Sequence, residues 1–355
     1  MNDTSNDNAP AARKRRGSGR ATIHDVARLA GVGSITVSRY LKHSSQVSGE
    51  LGERIARAIK ALNYVPNLVA GGLASARGRI VGMVVPNISG PIFAPTIQAF
   101  NDTLNRHGFQ VLLASSYFSK EQEENAVRAF LGWSPAALVV TGRFHSKGTE
   151  ALLAASGIPV VETWDYAPRR KPIQAGYANR EVGIQAARYL VAKGYRRIAF
   201  VQNSVAGDFS ALDRRDGYAG VLAEHGLEPW TYAPTAPAPF DAGREALEAL
   251  TRGRKKADAI IFANDNLAAG ALLASQRMGI EVPRQCALMG FGDYPFSNLL
   301  LPSLTTIRPP AREIGELAAR RILEALGEIE PEGERIGNAG RLNLLGCELV
   351  ERESA

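Results

Sequence analysis

Cysteine is scarce in this chain, whose 355 residues include Cys286 and Cys347 and no others. Neither cysteine has a second cysteine or a histidine nearby at metal-ligand spacing, and the five histidines are scattered along the sequence. We therefore expect two free thiols in a reducing compartment, with neither a disulfide framework nor a zinc site.

Long apolar runs are missing as well. A membrane-spanning helix needs about 18 consecutive apolar residues, and the sequence contains no such stretch. The N-terminus is polar and then basic, without the apolar segment of a secretion signal. We expect a cytoplasmic protein without a membrane partner.

Catalytic motifs are the third absence. The sequence has no G-x-S-x-G, P-loop or H-E-x-x-H motif. The G-x-G from Gly290 to Gly292 lacks the rest of a dinucleotide-binding fingerprint. These absences disfavour an enzyme, and we expect no bound cofactor and no metal.

Positive charge is present in excess, and it is concentrated at one end of the chain. The whole chain carries a formal charge of +7. Residues 1–78 contain 12 Lys and Arg against 5 Asp and Glu, whereas residues 79–355 contain 30 of each. A basic module on a neutral body is typical of nucleic-acid binding. Residues 1–20, which include a run of four basic residues, are predicted to be a disordered arm.

The stretch from Thr22 to Leu41 predicts two short helices joined by a tight turn. Thr22 and Asp25 have the spacing of a capping box, and Gly31 stands where a left-handed cap would end the first helix. Val37 and Leu41 of the second helix would point inward. The side chains left for a partner are those of Ser34, Thr36, Ser38 and Arg39.

A third amphipathic helix around residues 50–62 completes a helical unit over residues 21–66. The pattern alone leaves a generic helical hairpin open. The basic charge of this segment favours a helix-turn-helix headpiece, whose second helix enters the DNA major groove.

Beyond the headpiece, the sequence predicts a linker over 67–78, a core over 79–345 and a tail over 346–355. Short β-rich runs alternate with longer helical patterns in the core, which indicates an α/β fold with parallel sheets. Its length favours two α/β subdomains. The predicted strands are 80–85, 109–115, 137–141, 159–163, 197–202, 259–264 and 286–291.

Polar side chains follow most of these strands. Ligands of open parallel sheets bind beyond the carboxyl ends of the strands, so these side chains predict a cleft for a hydroxylated small molecule. Each has a structural alternative: Asn264 could cap a helix, Asp293 could belong to a turn, and Trp164 could be plain core.

Several segments together resemble the lactose/galactose-repressor (LacI/GalR) family of bacterial transcription regulators. They read TIHDVARLAGVGSITVSRYL, AIKALNYVPNLVAGGLAS, FANDNLAAGAL and PSLTTIRPP, in this order along the chain. The segments PVVETWD and TGRFH resemble the gluconate-operon-repressor branch. The resemblance implies a DNA-binding headpiece, a hinge helix that forms on DNA, and a core like that of periplasmic sugar-binding proteins.

The resemblance also implies site residues. By this resemblance, residues at the start of the second helix contact the DNA bases. Leu73 matches a hinge leucine that wedges into the minor groove. The expected DNA-binding residues are Thr22, Ser34, Ile35, Thr36, Ser38, Arg39, Asn67 and Leu73. The expected effector-binding residues are Phe93, Trp164, Asp165, Arg214, Asn264 and Asp293, with the family's acidic position on either Asp165 or Trp164. Arg143, near the end of a predicted strand, is expected to add a cation that could pair with an effector carboxylate.

The expected function is therefore that of a repressor of a carbohydrate or sugar-acid operon. Its partners would be double-stranded operator DNA, a second copy of the chain in a homodimer, and a small effector between the subdomains. That effector would be gluconate, its phosphate or another sugar, and the sequence leaves open whether it induces or co-represses. The alternative function is that of a periplasmic-type sugar-binding protein without a DNA-binding role.

Overall fold

The computed structural model describes residues 21–66, 78–168, 170, 172–203, 207–331 and 342–355. The predicted arm over 1–20 and residues 67–77 of the linker, with Asn67 and Leu73, lie outside these ranges. The chain divides into two compact units, one up to Ala76 and one from Arg77 onwards.

The first unit is a small helical headpiece. Its elements are α1 (Ile23–Ala30), α2 (Ser34–Lys42), a 3₁₀ turn (Ser44–Gln46) and α3 (Gly49–Ala61). The predicted capping box is confirmed, because the Asp25 N–H donates to Thr22 Oγ1 at 3.3 Å and the Thr22 N–H donates to Asp25 Oδ2 at 2.9 Å. Gly31 ends α1 with a φ of 64°, a left-handed conformation that glycine adopts without steric cost.

The three helices of the headpiece share one apolar core. Val26, Val37 and Ile55, one from each helix, are fully buried and pack together. Leu29, by contrast, is 56% exposed, because it lies outside the stripe of α1 that faces α3. So small a core makes the headpiece sensitive to the loss of any one of these buried side chains.

The second unit begins with an α/β subdomain built on a six-stranded sheet. Its strands run parallel in the order β11-β5-β4-β3-β1-β2. They are β1 (Ile80–Val85), β2 (Gln110–Ser115), β3 (Ala137–Thr141), β4 (Val160–Thr163), β5 (Ile173–Gly176) and β11 (Leu342–Leu344). The helices that belong to it are α4 (Ala94–Arg106), α5 (Lys120–Gly132), α6 (Lys147–Ala155) and α11 (Ala311–Leu326).

The other subdomain has its own six-stranded sheet, in the order β12-β10-β9-β8-β6-β7, in which β12 alone is antiparallel. Its strands are β6 (Ile198–Val201), β7 (Trp230–Tyr232), β8 (Ala259–Phe262), β9 (Ala287–Phe291), β10 (Thr305–Arg308) and β12 (Glu348–Val350). Its helices are α7 (Asn179–Ala192), α8 (Phe209–Glu224), α9 (Pro239–Thr251) and α10 (Asp265–Met278).

The C-terminal residues differ from the expected tail. Strand β12 pairs with β10, and the last two residues, Ser354 and Ala355, are buried. The Ser354 hydroxyl donates to the Leu288 carbonyl at 2.6 Å, which ties the terminus to β9. Residues 346–355 therefore belong to the core, because their strand covers an edge of the second sheet that would otherwise be open.

Candidate functional site

The predicted recognition helix presents a mixed polar and apolar surface. Ile35, near its start, is 74% exposed, and Arg39 one turn later is also exposed. Ser34, Thr36 and Ser38 are half-buried, and Thr22 at the start of α1 is exposed. An exposed isoleucine among hydroxyl groups suits the major groove, where thymine methyl groups and base-edge acceptors lie side by side.

The start of α2 has a weaker cap than that of α1. Gly33 occupies the N-cap position, so no side chain accepts from the first N–H groups of the helix. Those N–H groups remain available to an anion, and a DNA phosphate is the anion that a helix N-terminus would meet in the major groove.

A cleft in the core lies at the carboxyl ends of strands from both sheets and has a volume of about 130 Å³. Pro86 and Thr141, at the ends of β1 and β3, line it from the first subdomain. Asn264 and Phe291, at the ends of β8 and β9, line it from the second. This placement agrees with the position of ligands in open parallel sheets.

Two of the expected effector residues form an aromatic wall. Phe93 and Trp164 line the cleft, with ring centroids 4.9 Å apart in an edge-to-face contact. Trp164 is 5% exposed, and its indole Nε1 has no hydrogen-bond partner among the described residues. Its φ of 67° is unusual for an aromatic residue, and such backbone strain is typical of binding sites.

Arg214 supplies a buried cation to the same cleft, where it is 6% exposed. Its Nη1 donates to Asn179 Oδ1 at 2.7 Å and its Nη2 to the Ala263 carbonyl at 3.2 Å, and its guanidinium lies 4.2 Å from the centroid of the Phe291 ring. Its Nε is buried and has no partner in the described part of the chain. Such a donor is costly to bury unless a ligand satisfies it.

Two glycines bring the helix that carries Arg214 close to its neighbour. A Cβ at Gly183 of α7 would lie 1.8 Å from the Arg214 carbonyl oxygen, and a Cβ at Gly217 of α8 would lie 2.1 Å from that of Arg180. Only glycine permits this approach. The close packing of α7 on α8 places Arg214 within hydrogen-bond distance of Asn179.

Asn264 lines the cleft and also caps a helix. Its Oδ1 accepts from the Leu267 N–H at 3.2 Å, as the structural alternative anticipated. Its side-chain N–H groups make no hydrogen bond to the described residues, so they are available to a ligand. Asp265 beside it is fully buried and accepts from Thr306, Ser297 and the Tyr294 N–H, so it belongs to the core.

Arg143 and Asp165 depart from the expectation, because neither lines the cleft. Arg143 forms ion pairs with Asp213 and, at 3.0 Å from its Nε, with Asp165 Oδ2. Asp165 also accepts from Asn179 at 3.3 Å. Burial raises the pKa of Asp165 to about 6 against the opposing effect of the Arg143 guanidinium. Both side chains thus lie behind the cleft wall.

Asp293 also departs from the expectation and lies away from the cleft lining. Its carboxylate accepts from Arg308 Nε at 2.7 Å and from Arg352 Nη2 at 2.6 Å. Its φ of 47° is that of a turn residue in the left-handed region, where aspartate is tolerated. Two arginines therefore satisfy the carboxylate that was expected to bind an effector.

Three charged residues that the sequence patterns missed line the cleft: Lys120, Glu123 and Asp208. Lys120 is exposed and its Nζ lies 4.7 Å from the Phe209 ring centroid. Asp208 caps α8 and lies 3.9 Å from Arg214. Glu123 is buried and its Oε1 lies 2.7 Å from His145 Nδ1. In a sequence, such residues resemble the ordinary caps and acids of a helix start.

The cleft as a whole can bind a small polar molecule with an acidic group. It combines buried cationic and neutral donors with an aromatic wall and several hydroxyl groups, the arrangement of a ligand site and not of a catalytic one. Within the described residues, no cluster of three or more His, Cys, Asp or Glu side chains is arranged to hold a metal ion. None of the described helices is both long and apolar enough to cross a bilayer.

Known proteins match both units of the chain. Residues 22–67 match the bacterial regulatory proteins of the lacI family, and residues 187–355 match a periplasmic binding protein-like domain. The HTH-type transcriptional regulator GntR of Pseudomonas aeruginosa is 33% identical over 359 residues, and the match covers 100% of each chain.

The chain belongs to the LacI family. GntR of Escherichia coli K12 is 30% identical over 304 residues, which are 86% of this chain and 91% of that protein. A crystal structure of a LacI-family transcriptional regulator from Silicibacter pomeroyi has a TM-score of 0.85 and 31% identity, and it covers 94% of this chain and 99% of its own. The expected family and its gluconate-repressor branch are confirmed.

This LacI-family protein is a DNA-binding transcriptional regulator and not an enzyme. The alternative of a periplasmic-type binding protein is wrong, because residues 22–67 match the DNA-binding segment of the family. The periplasmic binding protein-like architecture of the core remains, in the role of a ligand-sensing domain.

Proposed function

We propose that the protein is a homodimeric repressor, resident with the chromosome in the cytoplasm, that a sugar acid such as gluconate releases from its operator. The observation that carries the effector assignment is the pair of unmet buried donors, Arg214 Nε and Trp164 Nε1, on the lining of one cleft. A carboxylate satisfies such donors, and its charge matches the guanidinium.

The remaining lining suits the rest of such a molecule. Hydroxyl and amide groups of Ser116, Thr141 and Asn264 can exchange hydrogen bonds with a polyhydroxylated chain. Phe93 and Trp164 add an apolar surface for its C–H groups. Relatives named GntR at 30–33% identity support the same class of effector.

A second copy of the chain would cover an apolar surface on the second subdomain. Phe240, Leu273, Leu299 and Leu301 are 45%, 47%, 75% and 75% exposed. Contacts between Phe240 and Phe296, and from Gln276 to the Leu301 carbonyl, connect the start of α9, helix α10 and the 296–301 loop. Exposed apolar side chains on a connected surface favour association, and a two-fold dimer would place one headpiece on each half of a near-palindromic operator.

The DNA side of the proposal uses the headpiece residues described above together with Asn67 and Leu73, which lie outside the described residues. Leu73 would insert between base steps in the minor groove at the operator centre. Closure of the core on the effector would alter the spacing of the two hinges, and a coupling of about 1–3 kcal/mol suffices for a 5- to 150-fold change in operator affinity.

Calorimetric titration of the purified full-length protein with gluconate tests the effector assignment. We expect saturable binding by the native protein and a loss of at least about tenfold in Arg214→Ala, because a charge-assisted pair is removed. Arg215→Ala is the matched control, since the neighbouring Arg215 pairs with Asp216 on the outside of α8. Tight binding of neutral sugars without binding of gluconate would refute the assignment.

A further inference from the structure

Four ionisable side chains form a row that begins at the cleft wall and runs into the first subdomain. Glu123 Oε1 lies 2.7 Å from His145 Nδ1, and His145 Nε2 lies 3.5 Å from Glu162 Oε1. Arg170 Nε donates to Glu162 Oε2 at 2.7 Å. Glu123, His145 and Glu162 are each less than 10% exposed. Glu123, at one end of the row, is its only member among the described cleft-lining residues.

The row is electrically balanced. Burial alone would lower the pKa of His145, but its contacts with Glu123 and Glu162 outweigh burial and raise it to about 9. Burial alone would raise the pKa of Glu162, but the nearby His145 imidazole and the hydrogen bonds from Arg170 reverse this and lower it. Two carboxylates therefore face two cations. Buried ion pairs contribute little net stability compared with apolar side chains of similar size. Stability alone therefore does not explain why these buried residues are charged, whereas a role in ligand binding at the cleft does.

We propose that Glu123 determines the specificity of the effector cleft: its carboxylate accepts hydrogen bonds from effector hydroxyl groups and repels a second acidic group. The effector is then a polyhydroxylated monoanion whose single acid group lies toward Arg214. This inference rests on the proposed function, because it takes a sugar acid as the ligand. It also selects within that class, against diacids and against terminal phosphates.

The neighbours of Glu123 explain why hydroxyl groups are selected. His145 already supplies a positive charge to the carboxylate, so Glu123 has no need of an ammonium group from the ligand. Ser116, Ser119 and Thr141, on the same subdomain, add neutral hydroxyl groups to the cleft lining. A chain of hydroxyl groups fits this set, because the Glu123 carboxylate accepts hydrogen bonds and the protein hydroxyl groups both donate and accept them.

Lys120 is the cation that could attract a second acidic group to this wall. It is exposed at the start of α5, where it lies against Phe209. An exposed charge is screened by water and salt, whereas Glu123 is buried and its field is screened much less. Glu123 lines the cleft and His145 does not, so an acid group seated inside the cleft meets the Glu123 carboxylate before the balancing imidazole, and the net effect of this wall is repulsion.

Competing ligands that differ in their number of acid groups test the inference. Gluconate, glucarate and glucitol carry one, two and no carboxylates on the same six-carbon chain. By calorimetry we expect the native full-length protein to bind gluconate at least about tenfold more tightly than either of the others. In Glu123→Gln, gluconate affinity falls by about tenfold, and the preference over glucarate narrows to about threefold or less.

Two further variants separate charge from structure. Glu123→Asp keeps the charge, so we expect weaker gluconate binding with the discrimination against glucarate retained. Glu121→Gln removes an exposed carboxylate from the same helical turn and should leave both affinities unchanged. Equal binding of gluconate and glucarate by the native protein, or full discrimination in a folded Glu123→Gln variant, would overturn the inference about Glu123. The proposed function would stand in both cases, because gluconate still binds. Binding of none of the three ligands would refute both.

Discussion

Arg143 and Asp213 form an ion pair between the two subdomains of the core. Arg143 follows β3 of the first sheet, and Asp213 lies on α8 of the second subdomain. The same guanidinium contacts Asp165, which accepts from Asn179, and Asn179 in turn accepts from Arg214. A continuous set of polar contacts thus connects the cation of the cleft with the pair that joins the subdomains.

This connection predicts that Arg143 and Asp213 hold the core closed around the effector. Asp213→Asn should lower effector affinity by about fivefold, because a partly buried charge pair between the two subdomains is weakened. Operator affinity without effector should change little. Asp216→Asn, in the same helix and paired with Arg215 at the surface, is the control. Calorimetry and DNA-binding titrations measure the two effects, and equal effector affinities in both variants would contradict the prediction.

The buried imidazole of His145 predicts a dependence of stability on pH. Its pKa of about 9 in the folded protein lies above the value of 6.5 for an unperturbed histidine. The folded state therefore holds the proton more tightly, so the contribution is complete below pH 6.5 and is lost as the pH rises through 9. Its full size, below pH 6.5, is about 3 kcal/mol.

Denaturant unfolding at pH 7 and pH 10 measures this effect. The stability advantage of the native protein over His145→Gln should be present at pH 7 and largely gone at pH 10. His107→Gln controls for the removal of a histidine outside the Glu123–Glu162 row. A constant difference between the native protein and His145→Gln across this range would show that the imidazole is not protonated in the folded state.

The burial of Ile55 predicts that one substitution can unfold the headpiece and leave the effector-binding core folded. Ile55→Ala removes a fully buried side chain from the centre of a three-helix core and should cost about 2–5 kcal/mol, much of the stability of so small a unit. We expect operator binding to fail and effector binding to persist. Leu29→Ala, at an exposed position of α1, should keep both, and circular dichroism with DNA titrations distinguishes the two variants.

Asp293 has one role in the structure and another by family resemblance. The structure places its carboxylate in ion pairs with Arg308 and Arg352, whereas the resemblance implies effector binding. Asp293→Asn weakens the contacts with Arg308 and Arg352 and should lower stability by about 1–2 kcal/mol, since Arg308 is half exposed and its pair is partly screened. Effector affinity should stay within about twofold, because the carboxylate lies outside the cleft lining. A large loss of effector affinity without a loss of stability would show that Asp293 binds the effector.

The core strands were the most predictable part of the fold. The segments predicted as strands at 80–85 and 137–141 coincide with β1 and β3, because continuous apolar runs between turns leave few alternatives for buried parallel strands. The short strands β5, β7, β10, β11 and β12 were missed. They comprise three or four residues each, too few to show a periodic pattern, and β11 and β12 also pair with strands that are distant in the sequence.

The candidate site was predictable where a residue occupies the end of a strand or a motif, as for Asn264, Arg214 and Trp164. Arg143, Asp165 and Asp293 also occur at strand ends, but intramolecular ion pairs hold their charges away from the cleft lining. Pairing between distant segments is not visible in a local pattern. Glu123 was missed for the opposite reason: an acid in the first turn of a helix is so common that its burial against His145 leaves no local signal.

The proposed role of the effector cleft is to control DNA binding by the headpiece. It is tested most directly by fluorescence anisotropy of labelled operator DNA with the full-length protein, titrated with gluconate. We expect salt-dependent operator binding that gluconate reverses in the native protein, and operator binding that gluconate leaves in place in Arg214→Ala. Operator binding that gluconate does not alter in the native protein, or that it reverses equally in Arg214→Ala, would refute control by this cleft.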